Sequence, residues 1–246
     1  LTVRDYADTN LKQLVPLKRL NYLSLEDTVD SDSIISTDKD KIRVKDYSAI
    51  SVMSGLKSLY LNSDIIKDIG FIKGLPAFEV LTLEDTAVIS LASLSEMPAL
   101  RSLTLLGNNK VQDFGPVGTA TGLTSLSIDK MTSQPDPDLS SLSGLVKLDI
   151  KGFMSISSVR GLSGLKELSI HNCNVDQADA LSSLTGVERL TFYSVWNSQG
   201  NLRSLDFLKG MTGLKYADFT GNLDGTGWSG YNYLVEVYGD VSSIFN

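Results

Sequence analysis

The sequence predicts an α/β right-handed solenoid: about ten stacked turns of roughly 22 residues, with a concave parallel β-sheet and short 3₁₀ or extended convex segments. Two observations carry this prediction. The first is an apolar pattern, L-x-x-L-x-x-L-x-L, that returns along nearly the whole chain. It reads Leu17/Leu20/Leu23/Leu25, Met53/Leu56/Leu59/Leu61, Leu75/Phe78/Leu81/Leu83 and Met97/Leu100/Leu103/Leu105. It continues as Ala120/Leu123/Leu126/Ile128, Leu142/Leu145/Leu148/Ile150, Leu162/Leu165/Leu168/Ile170, Leu184/Val187/Leu190/Phe192 and Met211/Leu214/Ala217/Phe219. Successive starts differ by 36, 22, 22, 23, 22, 20, 22 and 27 residues. The second observation is the alternation at the end of each pattern. Leu59-Tyr60-Leu61 has the two-residue period of a strand with one buried face.

Taken in order, the chain opens inside a strand, because Leu1 and Val3 stand 22 residues before Leu23 and Leu25. It therefore reads as a single repeat domain over residues 1–246 and as a piece of something longer. The first interval is 14 residues longer than the period (36 − 22), which places an insertion at about Val29 to Ile42. That insertion is either a projecting hairpin or a polar loop. A second, five-residue expansion (27 − 22) falls near Trp196 to Gly200, in SVWNSQG. The tail is rich in glycine and aromatic residues, with Val235 and Val237 marking a last strand of an irregular repeat or cap.

The back half of each repeat has its own code. Ile66-x-Asp68-Ile69-x-x-Ile72 returns as Val44-x-Asp46-Tyr47, Val111-x-Asp113-Phe114-x-x-Val117, Ile156-x-Ser158-Val159-x-x-Leu162 and Leu202-x-Ser204-Leu205-x-x-Leu208. Three-residue apolar steps suit a 3₁₀ turn or extended segment better than a full α-helix. The Asp or Ser of this column is suited to accept a bond from a nearby backbone amide.

This is the leucine-rich repeat code, and the short repeats with an Asp-Ile-like dipeptide resemble the internalin type found in bacteria. The resemblance covers the whole chain and implies a solenoid used for adhesion or protein binding at a bacterial surface. One departure stands out. The family places Asn just after the strand, whereas that column here reads Tyr6, Thr28, Asp64, Thr86, Asn108, Met131, Phe153, Cys173, Val195 and Asn222.

Composition narrows the function. A formal net charge of −7 argues against nucleic acid as the main partner, since phosphates call for a basic face. No apolar stretch approaches the length of a membrane span, so no membrane insertion is expected. One cysteine allows no internal disulfide, and one histidine with one cysteine makes no zinc set, so no cofactor or metal is expected. Asp30, Asp32, Asp38 and Asp40 cluster without matching a calcium loop. Ser169, His171 and Asp149 could meet on the sheet, but an open sheet spends its amides on the ladder and offers no oxyanion site. Cys173 reads as a structural thiol.

The concave face is the informative surface. Its middle column is Thr2, Ser24, Tyr60, Thr82, Thr104, Ser127, Asp149, Ser169, Thr191 and Asp218. Its flank is Arg4, Glu26, Asn62, Glu84, Leu106, Asp129, Lys151, His171, Tyr193 and Thr220. Asp27, Asp64 and Asp85 make the early part acidic; Lys147, Arg189 and Tyr216 make the later part mixed and aromatic. The expected partner-contacting residues are Glu26, Tyr60, Glu84, Asp85, Lys151, His171, Arg189, Tyr193, Trp196 and Tyr216. Trp196 is either tucked back as a plug or offered to a partner.

The expectation is thus a monomeric, non-enzymatic module that binds a protein or glycan ligand through its concave sheet, secreted or at a bacterial cell surface. The alternatives are a structural or regulatory spacer, cytoplasmic included, and a targeting module of a larger enzyme. The absence of any Asn-x-Ser/Thr sequon sits better with a bacterial or cytosolic product than with a glycosylated ectodomain.

Overall fold

The computed structural model describes residues 1–4, 10–26, 44, 46–195 and 205–219, and the backbone of 236–238. Ten parallel strands follow in chain order. They are β1 (Thr2–Arg4), β2 (Tyr22–Glu26), β3 (Ser58–Asn62), β4 (Val80–Glu84), β5 (Ser102–Leu106), β6 (Ser125–Asp129), β7 (Lys147–Lys151), β8 (Glu167–His171), β9 (Arg189–Tyr193) and β10 (Tyr216–Asp218). β11 (Glu236–Tyr238) closes the sheet antiparallel to β10, in the tail where Val235 and Val237 mark a last strand. The 29–42 insertion and the Trp196–Gly200 expansion lie outside the described residues.

The register stacks like on like. Leu59, Leu81, Leu103, Leu126, Leu148, Leu168 and Leu190 are successive partners across the ladder, none more than 1% exposed. They form the apolar spine against which the convex leucines pack. Removing one to alanine would leave a cavity costing about 2–5 kcal/mol. The spine frays at the amino-terminal end, where Leu1 and Leu17 are 47% and 46% exposed although they fit the repeat pattern.

The convex side is a row of short 3₁₀ segments, among them Ser48–Val52, Gly70–Ile72, Ala92–Glu96, Gly115–Thr119 and Ser157–Val159. Their starts are held as the Asp/Ser column implies. Asp113 Oδ1 accepts from the Gly115 amide at 2.7 Å and Asp46 from Ser48 at 2.9 Å; between β6 and β7, where a plain turn replaces the 3₁₀ segment, Asp138 accepts from Ser140 at 2.9 Å. The hydroxyl and amide of Ser48 hold the Asp46 carboxyl below its usual range, and the Ser140 amide does the same for Asp138.

One repeat is displaced from its expected alignment. Ile156, not Val159, occupies the position of Ile69, and Ser155, not Ser158, accepts from the turn amide of Ser157 at 3.2 Å. The Ser158 hydroxyl is buried without a hydrogen-bond partner. A pattern of apolar residues at three-residue steps is unchanged by a slip of three, so the sequence pattern alone does not choose between these registers.

The turns leaving the sheet come in two lengths. After β4, β5, β7, β8 and β9 the chain passes through a residue at positive φ: Asp85 (48°), Gly107 (64°), Gly152 (78°), Asn172 (46°) and Ser194 (51°). The next residue (Thr86, Asn108, Phe153, Cys173 or Val195) turns inward. After β3 and β6 the inward residue comes one position earlier, so the column holds Ser63 rather than Asp64 and Lys130 rather than Met131. Met131 is instead 55% exposed. The column is therefore more polar inside than the fixed period implies, although Asn108 is its only asparagine among the described residues.

Candidate functional site

The concave columns are in register from end to end: Thr2, Ser24, Tyr60, Thr82, Thr104, Ser127, Asp149, Ser169, Thr191 and Asp218 are successive neighbours. Of the ten expected contact residues, nine are described, and they fall into two groups. Trp196 lies outside the described residues.

The first group lies on β2 to β4 and just beyond. Glu26 is tied to Arg4 at 2.7 Å and accepts the Ser24 hydroxyl at 3.0 Å. Tyr60 donates its hydroxyl to Glu84 at 2.8 Å and accepts from the Asn62 amide at 3.4 Å. Partial burial, more than the bond to Glu84, pushes the Tyr60 hydroxyl above its ordinary range. Asp85 is exposed at the turn, its amide donating to the Leu106 carbonyl at 2.9 Å. The negative charge of this end is thus partly neutralised within the fold.

The second group lies on β7 to β10. Lys151 pairs with Asp129 at 2.7 Å, and Lys147 with Glu167 at 3.3 Å. The Arg189 guanidinium lies 4.5 Å from the Tyr216 ring centroid, a cation–π contact. Tyr193 is 51% exposed, and its ring centre is 6.1 Å from that of His171. His171 Nε2 faces Asp149 Oδ1 at 3.5 Å. Desolvation raises the Asp149 carboxyl, opposed by His171 and Lys147. Between the two groups, β5 and β6 present Ser102, Thr104, Ser125 and Ser127, a low polar saddle with Leu106 and Asp129 along its side. Asp129 and Asp149 were absent from the expected contact set. Their place in the columns could have drawn them in, because each stands beside a residue that was in it.

The imagined catalytic cluster is only half assembled. Asp149 and His171 meet, but no hydrogen bond joins Ser169 to His171 among the described residues. Cys173 lies inside the solenoid, 0% exposed, accepting from the Phe153 amide at 3.3 Å and donating to the His171 carbonyl at 3.1 Å. Burial pushes its thiol up to about 11, which removes the thiolate that reactivity needs. No group of three or more His, Cys, Asp or Glu suited to a metal occurs among the described residues, and no described helix is long and apolar enough to cross a membrane.

Solved structures share this architecture. An internalin (inlF) of Listeria monocytogenes superposes with a TM-score of 0.71 at 19% identity, over 90% of this chain and 60% of that one. The fold is that of an internalin-type leucine-rich repeat. A leucine-rich repeat protein of Leptospira interrogans matches at TM-score 0.65 and 18% identity, over 87% of this chain and 53% of that one. An internalin C2 of Listeria monocytogenes gives TM-score 0.59 and 18% identity, over 70% and 74%. The chain spans 60% of the first of these proteins and 53% of the second. No family model matches the chain, and no curated protein is similar to it in sequence.

Proposed function

We propose that the chain is a non-enzymatic binding module of internalin type that engages a protein or glycan ligand through its concave sheet, at a cell surface or after secretion. The observation that carries this reading is the β7–β10 end of the sheet. There Tyr193, half exposed beside His171 at one end of β9, and the Arg189–Tyr216 pair at the other end of that strand offer the residue types that dominate binding energy at interfaces. The spine beneath them is close-packed, so these side chains are displayed on a rigid support and less ordering is left to be done on binding. The acidic balance disfavours nucleic acid. The unmade Ser169–His171 contact, on a sheet whose amides are consumed by the ladder, supports a role without turnover.

Ligand capture from surface extracts with the folded chain, repeated with Tyr193→Ala and Lys151→Glu, tests the reading. A ligand lost on these substitutions supports it. A ligand that ignores them but is lost on changing the convex residues Val52 and Ile89 overturns it, as does ester or peptide hydrolysis that His171→Ala abolishes.

A further inference from the structure

Three carboxylates and three cations stand on the β6–β9 strands, but they do not pair one to one. His171 lies in a row with Asp129 on β6, Lys151 on β7 and Tyr193 on β9, with Asp149 beside it on β7; Lys147, Glu167 and Arg189 form a second row at the other end of β7, β8 and β9. Lys151 is satisfied by Asp129 at 2.7 Å and Lys147 by Glu167 at 3.3 Å, while Arg189 lies over Tyr216. Asp149, which the Ser127 hydroxyl and Lys147 also stabilise, has no lysine or arginine nitrogen within 4 Å among the described residues. The charged group within 4 Å of it is His171, which balances it only when protonated. Two aromatic faces, His171 and Tyr193, adjoin that carboxylate.

From this arrangement we infer that the β7–β9 end of the concave face receives a cationic side chain, arginine or lysine, of a protein ligand, and that protonation of His171 expels it. The inference rests on the concave-face reading above and adds the partner's chemistry and a control. While the imidazole is uncharged, Asp149 attracts the incoming cation and the exposed Tyr193 ring offers it a face. Once protonated, the imidazolium takes over Asp149 at 3.5 Å and repels a second cation. The site thus carries its own competitor. No other histidine exists in the chain and the Cys173 thiol is pushed up to about 11, while the raised carboxyl of Asp149 is told apart from His171 by the His171→Gln variant, which retains it.

The test uses fluorescently labelled tetra-arginine as probe, with tetra-glutamate as the opposite-charge control, at pH 7.0 and 5.5 and constant ionic strength. Tetra-arginine affinity should fall about three- to fivefold on acidification, the weight of one exposed charge pair. That pH dependence should vanish in His171→Gln. Asp149→Asn should weaken binding at pH 7.0, whereas Glu96→Gln, on the convex side, should not. Equal affinity at the two pH values, a pH dependence that survives His171→Gln, or preferred binding of tetra-glutamate overturns the inference. Should a protein ligand captured by the concave face bind equally at both pH values, the inference falls while the binding reading stands.

Discussion

The turns after β5 and β6 meet the same need with different chemistry. Each must satisfy polar backbone atoms trapped inside the solenoid as the chain leaves the sheet. After β5, Gly107 adopts positive φ and delivers Asn108 inward. The Asn108 amide donates to the Leu83 carbonyl at 2.8 Å and the Leu106 carbonyl at 3.0 Å, while its oxygen accepts from the Thr86 amide and hydroxyl. One neutral side chain closes the account between two neighbouring turns. After β6, Lys130 arrives one residue earlier, with its side chain 0% exposed. Its ammonium donates to the carbonyls of Gln134 at 2.8 Å, Gly152 at 2.9 Å and Met131 at 3.3 Å, pairs with Asp136 at 2.8 Å and lies 5.2 Å from the Phe153 ring centre. Asp136 in turn accepts from the Ser155 amide at 2.8 Å and the Met154 amide at 3.0 Å. The asparagine solution is self-contained. The lysine solution needs a counter-charge brought back by the loop over residues 131–138, so that loop becomes part of the core.

The largest effect should therefore come from Asp136→Ala. It strands a fully buried ammonium and removes the acceptor of two backbone amides, at a cost of about 3–5 kcal/mol in urea denaturation. Adding Lys130→Met to that variant should recover part of the loss, because it removes the stranded charge. A double variant less stable than Asp136→Ala alone would show that the hydrogen bonds of Lys130 matter more than its charge. Asn108→Ala comes next. It leaves the Leu83 carbonyl and the Thr86 amide without their partner and should cost about 1–3 kcal/mol by the same measurement.

What could be read beforehand follows the period, and what could not lies where the period is insufficient. The leucine spine and the capping Asp46, Asp68 and Asp113 are set by spacing alone, because each turn repeats the same burial requirement. Lys130 and Ser63 escaped because a turn shorter by one residue shifts the inward position without disturbing the leucines that define the repeat. Ile156 escaped because three-residue steps look alike after a slip of three. On the face, the columns were legible to the residue, but the ties of Glu26 and Glu84 within the fold were not. Their engagement by Arg4 and Tyr60 depends on side-chain reach across neighbouring strands, which a column does not state.

Cys173 extends the comparison to a third chemistry. Its sulfur occupies the ladder position of Asn108 but makes longer bonds, 3.3 Å from the Phe153 amide and 3.1 Å to the His171 carbonyl. Cys173→Ala should cost less than Asn108→Ala, on the order of 1 kcal/mol, since a weak sulfur donor and acceptor is lost. With the thiol buried and pushed up to about 11, a maleimide reagent at pH 7.5 should label it only as the fold opens. Labelling of the native protein as fast as of the urea-unfolded chain would break the equivalence with Asn108.

The smallest effects set the capping carboxylates against Asp149, a carboxylate raised on the concave face. Asp46 and Asp138 are held below their unfolded value by turn hydrogen bonds. In acid, the unfolded chain binds their protons first, so their stabilisation is present above the ordinary carboxylate pKa of about 3.9 and lost as pH falls through the lower folded value. Asp149 runs the other way. Desolvation raises its folded value, so the native state binds the proton first and its stability rises as pH falls through that range. Asp46→Asn and Asp138→Asn, which keep an accepting oxygen, should flatten the acid end of a stability–pH curve with little change at pH 7. Asp149→Asn should instead remove a shallow gain that sets in above the ordinary carboxylate range, and leave neutral stability equal or slightly higher. A loss of neutral stability in Asp149→Asn would mean that the carboxylate is a net structural anchor through His171, not a charge held at a cost on the binding face.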